Sequence, residues 1–323
     1  MTALALNRPE ATLFEDIAAP IPKDFTLESG DVLPDTHVRL RRFGARDAPQ
    51  ILALGGISAG VDVCGEAGWW RETIVEHEAV DLARFGVIGV DFAPIGNHRV
   101  RLTPRDQARL ILVALDRLRV PTLHGFVGAS YGGLVGLALA ALAPERVERL
   151  CVISAAHRPA AQALAWRGVQ RRIVAFGLEH GDATGGLALA RQLAMITYRT
   201  ADEFEARFGA GVDAEGRGGV DRYLEARGEA YAQAGAPRRW LTLSEAIDRA
   251  IVDPADVRVA TTLVGCLDDQ LVPISLIREL AEQLPRLRGL HTLPSIYGHD
   301  AFLKEPARIA PIIKKCLEAP VHG

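Results

Sequence analysis

A serine flanked by glycines is the most chemically informative feature of the sequence. Residues 128–132 read Gly-Ala-Ser-Tyr-Gly, between an apolar run at 123–128 and another at 131–143. In a tight strand-to-helix turn this G-x-S-x-G pattern exposes the serine hydroxyl, and the small residues on either side let the backbones pass closely. The following helix N-terminus offers backbone N–H groups to a developing oxyanion. The pattern predicts Ser130 as a nucleophile; the competing interpretation is an ordinary tight turn.

A serine nucleophile needs a base, and the base needs an acid to orient it. In strand–turn–helix serine sites the chain order is serine, acid and then histidine, with the last two on loops after late strands. Asp268 and Asp269 follow a predicted strand at 258–265, and His299 follows one at 289–293. We predict His299 as the base and Asp269 as the acid. Asp268 remains the alternative acid, since either aspartate could instead serve the turn.

The loop after the predicted strand 50–55 is the expected source of a second oxyanion donor. Residues 55–60 read Gly-Gly-Ile-Ser-Ala-Gly, and such small residues allow backbone N–H groups to approach a reacting carbonyl. We predict the amide of Ile57 as one donor and the amide of Tyr131 as the other.

The elements that must position these residues alternate between strands and helices. Such alternation implies right-handed crossovers and an α/β fold with a mostly parallel sheet covered by helices on both faces. Apolar β-rich runs predict strands at 37–43, 50–55, 86–91, 123–128, 149–154, 258–265 and 289–293. Helical spacing of apolar residues predicts helices at 105–118, 131–143, 274–284 and 306–317.

The segment 157–252 has a different composition, rich in Ala, Arg and Glu and without a clear strand pattern. We predict that it forms a helical cap domain over one end of the sheet, and that 1–156 and 253–323 form the core domain. Within the cap, helices are expected at 160–176, 184–196, 201–208, 219–234 and 242–250.

Charge and composition exclude several classes of protein. Lys and Arg total 37 and Asp and Glu total 40, a net charge of −3, and no long basic run is present, so a nucleic-acid partner is not expected. No apolar stretch reaches the length of a membrane helix. The first 20 residues lack the basic start of a secretory signal, and the four cysteines are widely spaced, which favours free thiols in the cytoplasm.

Several motifs resemble those of the homoserine O-acyltransferase family. They are the run 186–199 with Phe204 and 207–209, the acid loop 269–273, the histidine loop 297–303 and, more loosely, 68–70. The resemblance implies an α/β-hydrolase fold, with transfer of an acyl group from acyl-CoA to the γ-hydroxyl of L-homoserine through an acyl-serine intermediate, for methionine biosynthesis. It also implies a homodimer formed through the cap helices, acyl-CoA as co-substrate, and no metal or tightly bound cofactor.

This resemblance gives three residues a substrate-binding role. Arg191 and Tyr198 are seven residues apart in a predicted helix and so share one face. The planar arginine fork suits the carboxylate of an amino acid, and Asp300, beside His299, could hold its ammonium group. A solvated surface role is the alternative for Arg191. Arg238 and Arg239 are expected to be a solvated pair, although they could face the phosphates of a donor or the carboxylate of a succinyl group.

The donor and the acceptor are less well defined by the sequence. The loop 91–98 is shorter than its counterpart in the family, and residues 55–57 differ from the family's usual oxyanion loop. Both changes concern the region where a donor would bind, so succinyl-CoA and acetyl-CoA both remain candidates. Because of the short chain and residues 154–158, the sequence resembles the succinyl-transferring members of the family, and this resemblance favours succinyl transfer. The alternative functions are acylation of serine, hydrolysis by an esterase or thioesterase, and binding without catalysis.

Overall fold

The structure is a computed structural model that describes residues 14–209 and 211–320. Its centre is an eight-stranded sheet in the order β1-β2-β4-β3-β5-β6-β7-β8, in which β1 and β2 are antiparallel to their neighbours and the remaining pairings are parallel. The strands are β1 Phe14–Pro20, β2 His37–Phe43, β3 Gln50–Leu54, β4 Gly86–Val90, β5 Gly125–Ala129, β6 Arg149–Ile153, β7 Ala260–Cys266 and β8 Leu287–Leu293. The predicted α/β fold with a mostly parallel sheet is confirmed.

Helices cover both faces of this sheet. Successive residues of β3 belong to different cores, because side chains alternate along a strand. Leu52 and Leu54 pack in one buried cluster, and Ile51 and Ala53 pack in the other. The helices outside the segment 157–252 are α1 Pro104–Leu118, α2 Tyr131–Leu142, α8 Ile274–Gln283, α9 Ala301–Lys304 and α10 Pro306–Glu318.

In the described part of the segment predicted to be helical, between β6 and β7, there are five α-helices. They are α3 Ala161–Glu179, α4 Ala183–Tyr198, α5 Ala201–Phe208, α6 Gly219–Ala234 and α7 Pro237–Asp248. Together they are called the helical insertion below. The insertion has a small hydrophobic cluster of its own, which includes Val174, Leu187 and Trp240. The division into a core domain and a cap domain stays a prediction.

Two glycines bring α3 and α4 into backbone contact. A Cβ placed on Gly177 would lie 2.9 Å from the Cα of Gly186, and one placed on Gly186 would lie 3.0 Å from the Cα of Gly177. Carbon atoms at those distances overlap, so any larger residue would push the two helices apart. The spacing of α3 and α4 therefore depends on these glycines.

The structure adds elements that the sequence analysis did not predict. β1 pairs with β2 at the sheet edge, and most of its residues are exposed, so it lacks the apolar pattern used to find the other strands. A short π-helical turn occupies Glu72–Glu76. α7 begins at Pro237, five residues before the predicted start, because proline fits the first turn of a helix.

The expectations about a secretory signal, the cysteines and membrane helices concern the described residues to different extents. The expected absence of a secretory signal concerns mainly residues 1–13, which lie outside the described residues, so it stays a prediction. The four cysteines are free and buried, and burial raises the pKa of Cys64 to about 12. Over 14–209 and 211–320, no helix is long and apolar enough to cross a membrane.

Candidate active site

Ser130 lies in the turn between β5 and α2, where the sequence pattern predicted it. Its backbone has φ +53° and ψ −120°, a conformation that is strained for any residue except glycine. The neighbouring glycines are required by contact: a Cβ on Gly128 would lie 2.4 Å from the carbonyl oxygen of Gly132, and a Cβ on Gly132 would lie 2.4 Å from that of Leu54. The turn thus holds the Ser130 hydroxyl at the carboxyl edge of the sheet.

Ser130, His299 and Asp269 form a continuous chain of hydrogen bonds. The Nε2 atom of His299 is 2.8 Å from Ser130 Oγ, and its Nδ1 atom is 2.7 Å from Asp269 Oδ2. His299 and Asp269 are buried. With Nδ1–H donating to the carboxylate, Nε2 is free to accept the serine proton. This geometry is the arrangement needed for general-base activation of a hydroxyl nucleophile.

The structure distinguishes the two candidate acids. The backbone amides of Leu271 and Val272 each donate to Asp269 Oδ1 at 2.9 Å, which turns the second carboxylate oxygen toward His299. Asp268 is exposed, and its Oδ2 atom accepts a hydrogen bond from the amide of Ser295 at 3.1 Å. Asp268 therefore serves the loop conformation, and the alternative assignment of Asp268 as the acid does not fit the geometry.

Burial and the neighbouring acid groups shift the pKa of His299 in opposite directions. Burial lowers the pKa of His299 because the charged imidazolium loses solvent, and the charge of Arg167 lowers it further. The charge and hydrogen bond of Asp269, together with the charge of Asp300, act in the opposite direction. Their sum is larger, so the pKa of His299 is raised above its ordinary value. His299 is therefore well suited to take a proton from Ser130.

The two predicted oxyanion donors are amides without an internal partner. Ile57 lies in the wall of the cavity beside Ser130, and Tyr131 is the first residue of α2. Neither amide nitrogen donates to an acceptor among the described residues. The amide of Gly132 donates to the carbonyl oxygen of Gly55 at 2.8 Å, which ties the two loops together. Both amides remain available for a carbonyl oxygen on Ser130.

A cavity of about 250 Å³ lies between the carboxyl edge of the sheet and the helical insertion. The core contributes Ser130 and His299 to its wall, and the insertion contributes residues of α3, α4 and α7. Much of the wall is apolar, including Trp69, Leu134 and Trp240. A site of this kind holds a small molecule and keeps water away from the reacting atoms.

Arg191 and Tyr198 both line this cavity, as their shared helical face predicted. The Arg191 guanidinium lies 5.4 Å from the ring centroid of Tyr198 and 4.7 Å from that of Tyr231. No carboxylate pairs with Arg191 among the described residues. Burial raises the pKa of Tyr198, whose ring lies 6.0 Å from that of His299. The solvated alternative for Arg191 does not describe a guanidinium placed between two tyrosine rings at a cavity wall.

Asp300 lines the cavity too, and the structure gives it a partner that the sequence analysis missed. The Nε atom of Arg199 donates to Asp300 Oδ2 at 2.9 Å, and Nη1 of Arg199 donates to Glu203 Oε1 at 2.9 Å. Arg199 and Glu203 are buried. Arg199 therefore fixes the Oδ2 atom of Asp300, whereas the Oδ1 atom has no partner among the described residues.

Three arginines needed the structure for their placement. Arg238 is exposed, and Arg239 donates to the backbone carbonyls of Pro94 and Phe92, so the second of this pair is not a solvated side chain. Arg239 instead attaches the insertion to the loop after β4. Arg167 of α3 lines the cavity but belongs to no motif in the sequence, and only its helical position could have suggested it.

Comparison with known proteins agrees with this fold and site. Residues 49–306 match the profile of the alpha/beta hydrolase fold family. The homoserine O-succinyltransferase of Xanthomonas campestris pv. campestris is 39% identical over 292 residues, covering 88% of this chain and 79% of that protein. The chain belongs to the homoserine O-acyltransferase family of α/β hydrolases.

Two solved structures share the fold at low sequence identity. The homoserine O-acetyltransferase of Bacillus anthracis has a TM-score of 0.84 at 15% identity, covering 97% of this chain and 100% of that chain. Esterase E22 has a TM-score of 0.85 at 18% identity, covering 95% of this chain and 100% of that chain. A transferase and an esterase thus match the fold equally well, so the fold alone does not separate transfer from hydrolysis.

Proposed function

We propose that this protein transfers an acyl group from acyl-CoA to the γ-hydroxyl of L-homoserine through an acyl-Ser130 intermediate. The observation that carries the proposal is the position of Arg191. It is an arginine without a carboxylate partner among the described residues, in the same cavity as the Ser130–His299–Asp269 chain. Simple ester hydrolysis gives no role to such a cation, whereas an amino-acid acceptor supplies the missing carboxylate. Membership of the homoserine O-acyltransferase family supports the same acceptor.

In the first half-reaction, His299 accepts the proton of Ser130 as Oγ attacks the thioester carbonyl. The amides of Ile57 and Tyr131 donate to the tetrahedral oxyanion, an effect of roughly 3 kcal/mol per donor. The carbon–sulfur bond then breaks, and the imidazolium of His299 returns the proton to the leaving thiolate. CoA leaves as the thiol, and the acyl group remains as an ester on Ser130.

In the second half-reaction, homoserine occupies the cavity with its carboxylate on Arg191 and its ammonium group on Asp300. Tyr198 closes the same wall and fixes the Arg191 guanidinium through its ring. His299 removes the proton of the γ-hydroxyl, whose oxygen attacks the acyl ester. The same two amides stabilise the second tetrahedral intermediate, and O-acylhomoserine leaves as Ser130 recovers its proton. The kinetics are therefore ping-pong, with acyl-CoA as a co-substrate and no resident cofactor or metal.

The proposed donor is succinyl-CoA, with acetyl-CoA as the alternative. Support comes from the 39% identical relative, which is named a homoserine O-succinyltransferase. The alternative is supported by the homoserine O-acetyltransferase of Mycolicibacterium smegmatis, which is 30% identical over 344 residues, covering 91% of this chain and 90% of that protein. The donor is the same acyl-CoA class in both cases, and the chemistry on Ser130 is unchanged.

The helical insertion acts in this proposal as a cap that keeps water from the acyl-enzyme. Its residues complete the apolar wall beside Ser130, and a wet site would hydrolyse the ester instead of transferring it. The match to esterase E22 makes hydrolysis the second candidate function. Acylation of serine is the third, since its side chain is one methylene shorter.

The proposed setting is a homodimer in the cytoplasm, acting in methionine biosynthesis. Apolar side chains on the outer faces of α3 and α4 support a dimer contact through the insertion. Phe176 is 63% exposed, Leu189 56% and Ile196 46%. Light scattering of Leu189→Asp against wild type tests this contact, and an unchanged mass would contradict it.

One experiment separates the candidate functions. Purified protein is mixed with acetyl-CoA or succinyl-CoA, alone or with homoserine or serine, and the released CoA and acylated product are quantified by chromatography. The proposal expects one burst of CoA per Ser130 without acceptor, and sustained turnover to O-acylhomoserine when homoserine is present. Sustained CoA release without acceptor would indicate a thioesterase, and turnover that depends on serine alone would change the acceptor.

A further inference from the structure

The cavity contains a second arginine to which the proposed reaction gives no role so far. Arg167 of α3 lies in the wall, with only 11% of its side chain exposed. Its Nε atom donates to Asp248 Oδ1 at 2.5 Å. Neither Nη1 nor Nη2 has a hydrogen-bond acceptor among the described residues. The outer edge of this guanidinium is the part that fits a carboxylate in a bidentate manner.

Arg167 is not neutralised by its neighbour. Asp248 is shared with Arg171, which lies 2.7 Å away at Nη1, so two arginines face one carboxylate and one positive charge is left over. Arg171 lies outside the cavity wall and also donates to the carbonyl and hydroxyl oxygens of Ser244. The charge of Arg167 acts on both His299 and Tyr198. The excess positive charge is thus felt inside the cavity.

The proposed reaction requires a second cation when the acyl group is succinyl. At the start of the second half-reaction, the cavity holds the free carboxylate of succinyl-Ser130 and the carboxylate of homoserine. Two buried carboxylates need two cations, because an unpaired charge in a dry site is costly. An acetyl group or water would leave one of the two arginines without a partner.

The contacts at the end of α4 indicate which arginine serves which carboxylate. The Arg191 guanidinium lies 5.4 Å from the ring centroid of Tyr198, and the next residue after Tyr198, Arg199, donates to Asp300 Oδ2 at 2.9 Å. The carboxylate and ammonium groups of homoserine are attached to one carbon atom, so they require a cation and an anion that lie together. Arg191 and Asp300 form that pair, and Arg167 lies apart from it on another helix.

Resting on the proposed function, we infer that Arg167 binds the distal carboxylate of a dicarboxylic acyl group on Ser130 and so selects succinyl-CoA. Asp248 holds the guanidinium by Nε and leaves its Nη atoms for the substrate. Gln170, one turn further along α3, also lines the cavity and adds a neutral amide beside this subsite. The residue that selects the acyl group, Arg167, is thereby distinct from the residues that bind homoserine, Arg191 and Asp300.

The test compares two acyl groups of equal length, with and without the carboxylate. The rate of the CoA burst is measured with succinyl-CoA and with butyryl-CoA for wild type, Arg167→Gln and Arg167→Lys. We expect the ratio of succinyl to butyryl rates to fall about 30- to 1000-fold in Arg167→Gln, from the loss of a charge-assisted pair. Arg167→Lys keeps the charge without the fork and should give an intermediate ratio.

Arg171→Gln is the matched control, because it removes the other arginine of the same Asp248 and leaves the cavity wall in place. Its succinyl-to-butyryl ratio should stay within about threefold of wild type. Using a ratio cancels any loss of folded protein. Equal loss of both rates in Arg167→Gln, or an equal change of ratio in Arg171→Gln, would overturn the assignment.

Failure of this inference differs visibly from failure of the proposed function. A wild type that acylates homoserine but shows no preference for succinyl-CoA over butyryl-CoA keeps the proposed function and refutes the role of Arg167. A wild type that gives no acyl-Ser130 with any acyl-CoA refutes the proposed function itself. Mass spectrometry of the Ser130 peptide distinguishes the two results.

Discussion

The two walls of the cavity differ in how their polar groups are paired. On the core wall, Ser130, His299 and Asp269 satisfy one another in a chain that needs no substrate to form. On the wall formed by the insertion, Arg191 lies beside two tyrosine rings. Among the described residues, Arg191 has no carboxylate partner and the Nη atoms of Arg167 have no acceptor. The core wall therefore contains groups that carry out chemistry, and the insertion contains charges that a substrate must complete.

This contrast suggests a separation of tasks. Side chains held by internal hydrogen bonds are already in position before substrate binds, which is the condition for efficient catalysis. Within the part of the chain that the structure describes, the guanidinium groups of Arg167 and Arg191 have free N–H groups that a ligand can pair with. Such groups discriminate between ligands, since only a partner of the correct charge and geometry stabilises them. Variants of Ser130, His299 and Asp269 should therefore affect every acyl donor and acceptor, whereas variants of Arg167 and Arg191 should affect one ligand at a time.

The largest effect is expected from Ser130→Ala. Alanine fits the same turn but has no hydroxyl, so acyl-enzyme formation should fall by roughly 10⁴-fold or more with every acyl-CoA. The measurement is the CoA burst, with circular dichroism to confirm the fold. Ser154→Ala is the control, since Ser154 directly follows β6 with φ +49° and makes no hydrogen bond to His299. A burst above a few per cent of wild type would disprove a covalent route through Ser130.

The second effect in size concerns the two neighbouring aspartates. Asp269→Asn should reduce acyl-enzyme formation by about 10³- to 10⁴-fold, because asparagine cannot hold the correct imidazole tautomer. Asp268→Asn changes the same side chain on an exposed residue and should cost less than about tenfold. Single-turnover kinetics with one acyl-CoA measures both variants. A reversed order of the two effects would make Asp268 the acid despite the geometry.

A third prediction addresses the insertion and should affect one half-reaction only. Arg191→Ala removes the proposed carboxylate partner, at a cost of about 2–5 kcal/mol, or some thirty- to several-thousand-fold in kcat/KM for homoserine. The CoA burst should remain within a few-fold of wild type. Arg222→Ala, an exposed arginine of α6 paired with Asp213, is the control. If the burst collapsed while the homoserine KM stayed unchanged, Arg191 would belong to the donor.

The smallest expected effect is a shift in the pH dependence of the CoA burst rate. It involves both walls, because Asp300 acts on His299 and is paired with Arg199 at the end of α4. His299 must be neutral to accept the Ser130 proton, so the burst rate should fall on acidification through a pKa above the usual histidine value. Asp300→Asn removes a negative charge and leaves Arg199 less compensated, and both changes lower the pKa of His299. The acid limb of the burst rate should move to lower pH, whereas an unchanged limb would contradict this.

The sequence predicted the core wall better than the insertion wall. The Ser130 turn has a local sequence pattern, because backbone contacts demand glycine at 128, against Gly132 of the same turn, and at 132, against Leu54 of β3. The choice between Asp268 and Asp269 had no local pattern. It depends on the amides of Leu271 and Val272, whose direction only the folded loop defines.

The insertion was predicted as helices but not as a set of charge contacts. Arg191 and Tyr198 were found together because helical periodicity places them on one face. Arg167 and Asp248 are 81 residues apart, and Arg199 and Asp300 are 101 apart. Pairs so distant in the chain depend on how α3 packs against α7 and how the end of α4 packs against the turn before α9, which no local pattern encodes. The edge strand β1 was missed for a different reason, since it is mostly exposed and lacks an apolar signature.

The contact between Gly177 and Gly186 fixes the separation of α3 and α4, and so has a consequence for the substrate. Arg167 is on α3 and Arg191 is on α4, and the backbones of these helices touch at the two glycines. Main-chain packing at these glycines therefore sets the distance between the two helix backbones that carry Arg167 and Arg191. In such a cavity, the distance between two helices selects substrates by the distance between their charged groups.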